Sequence, residues 1–204
     1  MKYQLNETVV IPYKVIADMK EQLTTLLDKE LSNDSLFTLI ASNLPYVRTL
    51  IRANYGEVQD ETFEYLDIFE DIMPMIIEII AKAKENIATS SDKYILHEYN
   101  EDFTEIIGKH TTDTYKVPLG VVEDVVSAIL GMQETKTISA ETVDKILEDI
   151  EGTLLRSFPT LDCIRIENLN LIEIIRVYRK YFDLGLKLLT GKNGLSLKAQ
   201  RVSK

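Results

Sequence analysis

Three segments in the first half of the chain resemble three segments in its second half, in the same order. The matched segments are 11–19 with 117–125, 49–52 with 153–156, and 64–72 with 167–175. Their separation drifts only from 106 to 104 to 103 residues, which small loop deletions would produce. The pattern therefore predicts two diverged copies of one unit.

Four pairs of residues are shared by the two copies at positions that helical periodicity does not require. They are Pro12 and Pro118, Asp18 and Asp124, Arg52 and Arg156, and Glu70 and Glu173. Amphipathic helices also resemble one another by chance, but chance does not explain shared prolines and charges. We therefore favour duplication over coincidence.

The composition favours helices over strands. Among 204 residues there are 8 Gly and 5 Pro, and apolar residues recur at spacings of three and four. We predict a mainly α fold, a helical bundle of two tandem, pseudo-two-fold units, each a short strand followed by three helices. The predicted domains are residues 1–100, residues 101–190 and a basic tail, 191–204.

Each unit is predicted to begin with an extended stretch that ends at a proline, because proline favours the first turn of a helix. The predicted stretches are 7–11 and 112–117. The predicted helices are 12–31 and 118–132, then a second pair ending near Tyr55 and Phe158, then 60–88 and 167–189. Pro45 is expected to kink or divide the second helix, and Ser139 to cap its counterpart.

Apolar stripes on the last helix of each unit are predicted to face the core. They comprise Phe69, Met73, Ile76 and Ile80 in the first unit, and Leu171, Ile175, Tyr178, Phe182 and Leu189 in the second. Residues 89–111 link the copies and are predicted to form a short helix through Ile95, Phe103 and Ile106.

The charge is unevenly placed. Residues 1–183 carry a net charge of −15, whereas residues 184–204 hold five bases and no acid. An acidic body would repel nucleic acid, whose binding rests on bases that neutralise phosphates. The tail is either a solvated end or a segment that binds an acidic partner or RNA.

The sequence favours no catalytic or metal site. The chain has 2 His and 1 Cys, and neither His97 nor His110 follows a Glu by three residues as a di-iron bundle requires. Cys163 is more typical of a small core residue than of a nucleophile. We expect a non-enzymatic protein without cofactor or metal.

A reducing, cytoplasmic location is expected, because one cysteine cannot form an intramolecular disulfide. The first seven residues lack the apolar core of a signal peptide. The most apolar run, 68–83, is interrupted by acids and a proline, so no membrane span is expected.

The strongest local charge feature is acidic: eight acids lie between Glu57 and Glu78, with no base from Arg52 to Lys82. A solvated helix face is the ordinary explanation. The candidate partner-binding residues are Glu57, Asp60, Glu61, Glu64, Lys198, Arg201 and Lys204. A further hypothesis is an ion pair between Arg52 and Glu70, repeated between Arg156 and Glu173.

The order of a short strand, helices, an acidic loop and a Glu-x-Leu-Asp/Asn-Ile/Leu-x-Glu run before a last helix resembles bacteriophage tail assembly chaperones. The residues concerned are 44–87, and again 158–189. The resemblance implies a protein of the host cytoplasm that covers the long, aggregation-prone helices of a tape-measure protein before the tail tube assembles.

Two other functions fit the same sequence. One is a structural subunit of a phage head–tail connector or similar ring, which would place the protein in the virion as an oligomer. The other is a small acidic regulatory or inhibitor protein that uses residues 57–78 as its contact. All three imply a protein partner, with no nucleic acid on the acidic body and no membrane.

Overall fold

The computed structural model describes residues 3–19, 33–88, 95–112, 120–126, 140–162 and 165–190. The predicted mainly α fold is confirmed, with the addition of one two-stranded sheet. The helices are α1 Tyr13–Asp18, α2 Asn33–Ser42, α3 Leu44–Asn54, α4 Asp60–Phe63, α5 Met73–Ala88, α6 Ala140–Ser157 and α7 Leu171–Leu189. Residues 120–126 are helical, Ile68–Ile72 form a π-helical turn before α5, and Ile166–Asn168 form a 3₁₀ turn before α7.

Several predicted features lie outside the described residues. They are the first helices beyond Met19 and Val126, the extended stretch 113–117 with Pro118, the Ser139 cap, Cys163, and the tail with Lys198, Arg201 and Lys204.

The predicted division of the second helix is confirmed. Helix α2 ends at Ser42 and α3 begins at Leu44, with Pro45 in its first turn, where the missing N–H is tolerated. Asn43 lies buried between the two helices, and its Nδ2 donates to Leu39 O at 2.8 Å. The break is therefore built from a proline and a buried amide.

The last helix of each unit begins later than predicted. Asp67 caps the π-helical turn, its Oδ1 accepting from Phe69 N and Glu70 N, both at 2.8 Å. Asn170 accepts from Ile172 N at 3.1 Å at the start of α7. These side chains hold the first turn of a helix and end the preceding segment, so neither helix is continuous from residue 60 or 167.

The predicted helix between the copies is wrong, because residues 95–111 form a β-hairpin. Strands β1 (Ile95–Tyr99) and β2 (Ile106–Thr111) pair antiparallel, with an irregularity between Glu98 and Tyr99. The turn is held by Asn100, whose Oδ1 accepts from Thr104 N at 2.9 Å, while Phe103 adopts φ 58°. The predicted boundary between residues 100 and 101 falls in this turn.

Two short segments, residues 11–13 and 169–171, pair with each other, and the second also pairs with the hairpin. Leu169 pairs with Glu98 of β1, and Asn170 pairs with Pro12 on its other side. Backbone bonds from Tyr13 N to Leu169 O at 3.0 Å and from Leu171 N to Ile11 O at 2.7 Å complete the pairing. The amino-terminal segment, residues 9–13, is thereby held against the start of α7.

This segment contributes residues to two large apolar cores and, through Val10, to a smaller cluster with Ala53, Tyr99 and Phe103. The first joins α2, α3 and α5, and includes Val9. The second joins residues 120–126, α6 and α7, and includes Tyr13 and Leu96. Val9 and Tyr13 thus belong to different cores, so the segment between them connects both. Among the described helices, none is long and apolar enough to cross a membrane.

The predicted core stripes are partly wrong. In the first unit Met73 and Ile76 are buried, but Phe69 and Ile80 are 58% and 45% exposed. In the second unit the predicted Leu171, Tyr178 and Phe182 are partly buried and pack against the core, beside the buried Ile174, Val177 and Tyr181. In the first unit the apolar stripe is wider than the buried side, so one edge of it meets the core and the other faces solvent.

Candidate protein-binding surface

An apolar strip runs along the solvent side of α5 and the turn before it. It consists of Phe69, Ile77 and Ile80, which are between 45% and 58% exposed. Ile77 and Ile80, three residues apart, lie on the same side of α5, and Phe69 lies in the π-helical turn before it. Phe37 of α2 stacks on Phe69, with ring centroids 5.1 Å apart and planes 5° from parallel. Exposed apolar side chains that cluster in this way mark binding sites more often than single ones do.

An apolar pocket of about 170 Å³ adjoins the strip at Ile80. Its wall includes Met19 of the α1 end, Leu39 of α2 and Ile76 of α5. Small-molecule sites usually measure about 300–1,000 Å³. This pocket is smaller, and its size suits one large apolar side chain of a partner.

The charges around α5 differ between its two ends. Glu70 is exposed at the amino end. Two other acids there accept backbone hydrogen bonds: Asp67 caps the turn, and Asp71 accepts from Asp67 N at 3.0 Å. At the other end Lys82 Nζ lies 2.9 Å from Glu85 Oε2, and Lys84 is exposed. The strip therefore runs from an acidic end to a basic end.

The structure describes three of the predicted partner-binding side chains. Glu57, Glu61 and Glu64 are exposed in the segments before α5. Glu61 lines an open cleft of about 440 Å³ together with Tyr3 and Tyr65. The Asp60 side chain and the three basic tail residues are outside the described side chains. The predicted partner-binding residues do not include the strip, because the stripe prediction places Phe69 and Ile80 in the core and leaves Ile77 out.

Both histidines of the chain lie in the hairpin, each against a carboxylate. His97 N donates to Glu173 Oε2 at 2.8 Å, and His97 Nδ1 lies 2.7 Å from Glu173 Oε1. His110 Nε2 lies 3.3 Å from Glu98 Oε2, and its Nδ1 lies 2.9 Å from Thr160 Oγ1.

A hydroxyl, an imidazole and a carboxylate in a row are the parts of an acyl-transfer triad. Here, however, the His110 ring is buried and Arg165 Nη1 also reaches the same Glu98 oxygen, at 3.6 Å. The buried His110 and Glu98 thereby join the hairpin to the exposed Thr160 and Arg165, which lie between α6 and α7. No group of His, Cys, Asp and Glu in the described part of the chain could hold a metal ion.

Glu98 also explains a glycine in β2. A Cβ at Gly108 would lie 2.7 Å from Glu98 Oε2 and 3.2 Å from Glu98 Cβ. The carboxylate therefore occupies the space that a larger residue would need.

The ion-pair hypothesis for the helix corners is wrong for the second unit. Arg156 pairs with Asp124, and Glu173 bonds His97. In the first unit Arg52 Nη1 lies 3.8 Å from Asp102 Oδ1, while Glu70 is exposed. The Arg156–Asp124 pair does join two of the residues that the repeat pattern singled out.

Buried tyrosines give the fold a predictable response to alkali. Burial, reinforced by the charge of Glu173, raises the pKa of Tyr99 to about 12. Burial, reinforced by Asp149, raises the pKa of Tyr178 to about 12. Burial also raises the pKa of Tyr13 and of Tyr55.

We expect stability to be fully present below about pH 10 and to fall as the pH rises toward 12. The unfolded chain releases these phenol protons near pH 10 while the folded chain still holds them, so alkali favours the unfolded state. Urea unfolding between pH 8 and 11 measures this. Tyr99→Phe should flatten the fall, and Tyr65→Phe, which alters an exposed ring, is the control. An unchanged slope in Tyr99→Phe would contradict the assignment.

No protein-family model, curated protein sequence or solved structure matches this chain.

Proposed function

We propose that this protein is a non-enzymatic interaction protein that binds an amphipathic helix on the apolar strip of α5. The observation that carries the proposal is the exposure of Phe69, Ile77 and Ile80 beside an apolar pocket. In helix-in-groove recognition the apolar face of an amphipathic helix lies on an apolar surface of its receptor. The net negative charge of the body keeps a protein with such a surface soluble.

The biological role that we propose is that of a phage tail assembly chaperone acting in the host cytoplasm. The support is the resemblance of residues 44–87 and 158–189 to that family, together with a surface suited to covering an exposed helix. The tape-measure protein is the proposed partner, because its long helices would aggregate without a cover.

A structural subunit of a phage head–tail connector or ring is the second candidate function. The observation that favours it is the outer strand of the hairpin, where Ile106 and Ile107 are 56% and 61% exposed. An edge strand with exposed apolar residues offers backbone groups to a neighbouring chain. A closed ring of stable subunits in solution would support this function over the chaperone.

We also propose that the fold is a tandem repeat. Ile51 and Leu154 are both fully buried, as are Tyr55 and Phe158, and each pair is separated by 103 residues. This separation is one residue shorter than the 104 of the sequence match of 49–52 with 153–156, which pairs Ile51 with the 37% exposed Leu155. The capping residues Asp67 and Asn170 have the same separation.

Beyond the caps the separation of buried positions falls to 102 residues. Met75 corresponds to Val177 and Ile79 to Tyr181, all four buried. The first unit therefore has one extra residue between its cap and its last helix, and a π-helical turn accommodates one extra residue in this way. An experimental structure tests the repeat: 44–58 and 73–88 should superpose on 147–161 and 175–190 in one operation. A different relative placement of the two helices would overturn it.

The experiment for the function is affinity capture of the tagged full chain from cells that naturally express it, at moderate salt, beside an Ile77→Ser variant. We expect one long helical protein, absent from finished particles, to be captured by the wild type. Ile77→Ser should weaken capture about tenfold, because a buried apolar side chain contributes about 1.5–3 kcal/mol to a contact.

Thr111→Ser is the control for this experiment, because it alters an exposed position on the hairpin, away from the strip. Capture of portal or tail proteins within assembled particles would make the protein a structural subunit instead. Equal capture by wild type and Ile77→Ser would show that the strip is not the binding surface.

A further inference from the structure

We infer that the partner helix lies antiparallel to α5, with basic residues at its carboxyl end over Glu70 and acidic residues at its amino end over Lys84. This inference rests on the proposed function and specifies the chemistry of its partner. It comes from the charges at the two ends of the strip and from the direction of α5.

The length of the strip sets the length of the partner. Lys84 lies 15 positions after Phe69 in the sequence, and 15 helical steps of 1.5 Å span about 22 Å. A partner helix of about four turns covers that distance. One of its large apolar side chains would enter the pocket beside Ile80, and others would lie on Phe69 and Ile77.

The charges at the two ends of the strip are opposite in sign, because Lys82 and Lys84 outnumber Glu85 at the carboxyl end. Glu70 is exposed at the start, in a stretch with no base between Arg52 and Lys82, and Lys84 is exposed near the end of α5. A partner with bases at one end and acids at the other therefore matches the strip in only one direction. A uniformly basic or uniformly acidic helix would match one end and oppose the other.

The helix dipoles select the same direction. The amino end of α5 carries partial positive charge and its carboxyl end partial negative charge, so neighbouring helices attract when they run antiparallel. Helices are also stabilised by acids in the first turn and bases in the last turn. An antiparallel partner with that ordinary charge order brings its bases to Glu70 and its acids to Lys84.

The test uses the full-length protein and two synthetic helical peptides of about 15 residues with the same composition and the same apolar stripe. The forward peptide has Glu in its first half and Lys in its second half, and the reversed peptide has the opposite order. We expect the forward peptide to bind about 3–10-fold tighter at low salt, because each end contact contributes about 0.3–1 kcal/mol. The preference should shrink as salt is added.

Direction is read with a spin label on an introduced cysteine, Glu85→Cys in a Cys163→Ser background. The label should broaden the signals of the amino-terminal half of the forward peptide. In the swapped variant Glu70→Lys with Lys84→Glu, the reversed peptide should become the tighter binder. The matched control is Glu101→Lys with Lys109→Glu, which exchanges exposed charges on the hairpin and should leave the preference unchanged.

The outcomes separate the two proposals. If both peptides bind equally, and Ile77→Ser still weakens both, the strip binds helices but the inferred direction is overturned. If neither peptide binds, the proposed helix-binding function is overturned and the inference with it. A forward preference that survives the swap of Glu70 and Lys84 also overturns the inference.

Discussion

Asn54→Ala is expected to lower the free energy of unfolding by about 3–5 kcal/mol, because it leaves buried polar groups of the amino-terminal segment without hydrogen-bond partners. Asn54 is fully buried at the end of α3. Its Oδ1 accepts from Val10 N at 2.8 Å, and its Nδ2 donates to Val10 O at 2.7 Å and to Leu50 O at 2.8 Å. Alanine supplies none of these bonds, and the site is too buried for bulk water to replace them.

Urea unfolding of the purified full chain measures the loss, with Asn43→Ala as the matched control. Asn43 is also a buried asparagine, but the bond that its Nδ2 makes is local, to Leu39 O. We expect the control to cost about 1 kcal/mol, the usual net value of one hydrogen bond. If Asn54→Ala costs no more than Asn43→Ala, the amino-terminal segment is not held by Asn54.

The extended start of the chain was predictable, but its binding site was not. Val9 and Val10 before Pro12 indicate an extended segment, as the sequence suggested. Nothing local indicates that Asn54, 44 residues away, binds Val10 through both of its amide atoms. An asparagine near the end of a helix ordinarily signals a terminus, so its long-range role needs the tertiary structure.

The positions of the helices along the sequence were predicted better than the side of each helix that is buried. Period and spacing placed helices around Leu44–Asn54, Met73–Ala88 and Leu171–Leu189. The pattern did not reveal which edge of the stripe on α5 meets the core, because the stripe of apolar residues is wider than the buried side. The exposed edge is the candidate binding surface, so the error about Phe69 and Ile80 concealed the site.

The hairpin was missed for a different physical reason. Ile95 and Ile106 were assigned to a helix in a chain whose composition is helical throughout. The sequence marks the hairpin only through Asn100 at the turn and Gly108 in β2, because Ile95–Tyr99 does not alternate between apolar and polar residues. The contact of β1 with Leu169 also favours the extended form, and that contact is 71 residues distant in sequence.

The exposure of the acidic residues before α5 was predictable, because charge is read directly from the sequence. Glu57, Glu61 and Glu64 are exposed as expected. The exposure of Phe69 was not predictable, because no local pattern indicates the π-helical turn in which it lies. Surface charge is therefore easier to predict from the sequence than exposed apolar area.

Asn170→Ala is expected to cost about 3–4 kcal/mol, because Asn170 both caps α7 and binds the amino-terminal segment. It is 1% exposed, and its Oδ1 accepts from Ile11 N and Ile172 N, both at 3.1 Å. Its Nδ2 donates to Val9 O at 3.2 Å. Alanine leaves those three backbone groups without their partner.

Asn170→Ser separates the two roles, since serine can cap Ile172 N but is too short to reach Val9 and Ile11. We expect serine to restore about 1 kcal/mol of the loss, the typical value of an N-cap. Unfolding in urea gives the free energies, and hydrogen exchange at the Ile11 amide reports the segment itself. Full recovery in Asn170→Ser would mean that capping alone explains the asparagine.

The double variant Asn54→Ala with Asn170→Ala should cost less than the sum of its parts. Both side chains bind the same stretch, 9–11, so once one variant has released it the other has less left to lose. Val9 belongs to the first core and Tyr13 to the second, so release of this stretch also weakens the link between the cores. Strict additivity would indicate that each asparagine stabilises only its own helix, and that the amino-terminal segment does not couple the two halves.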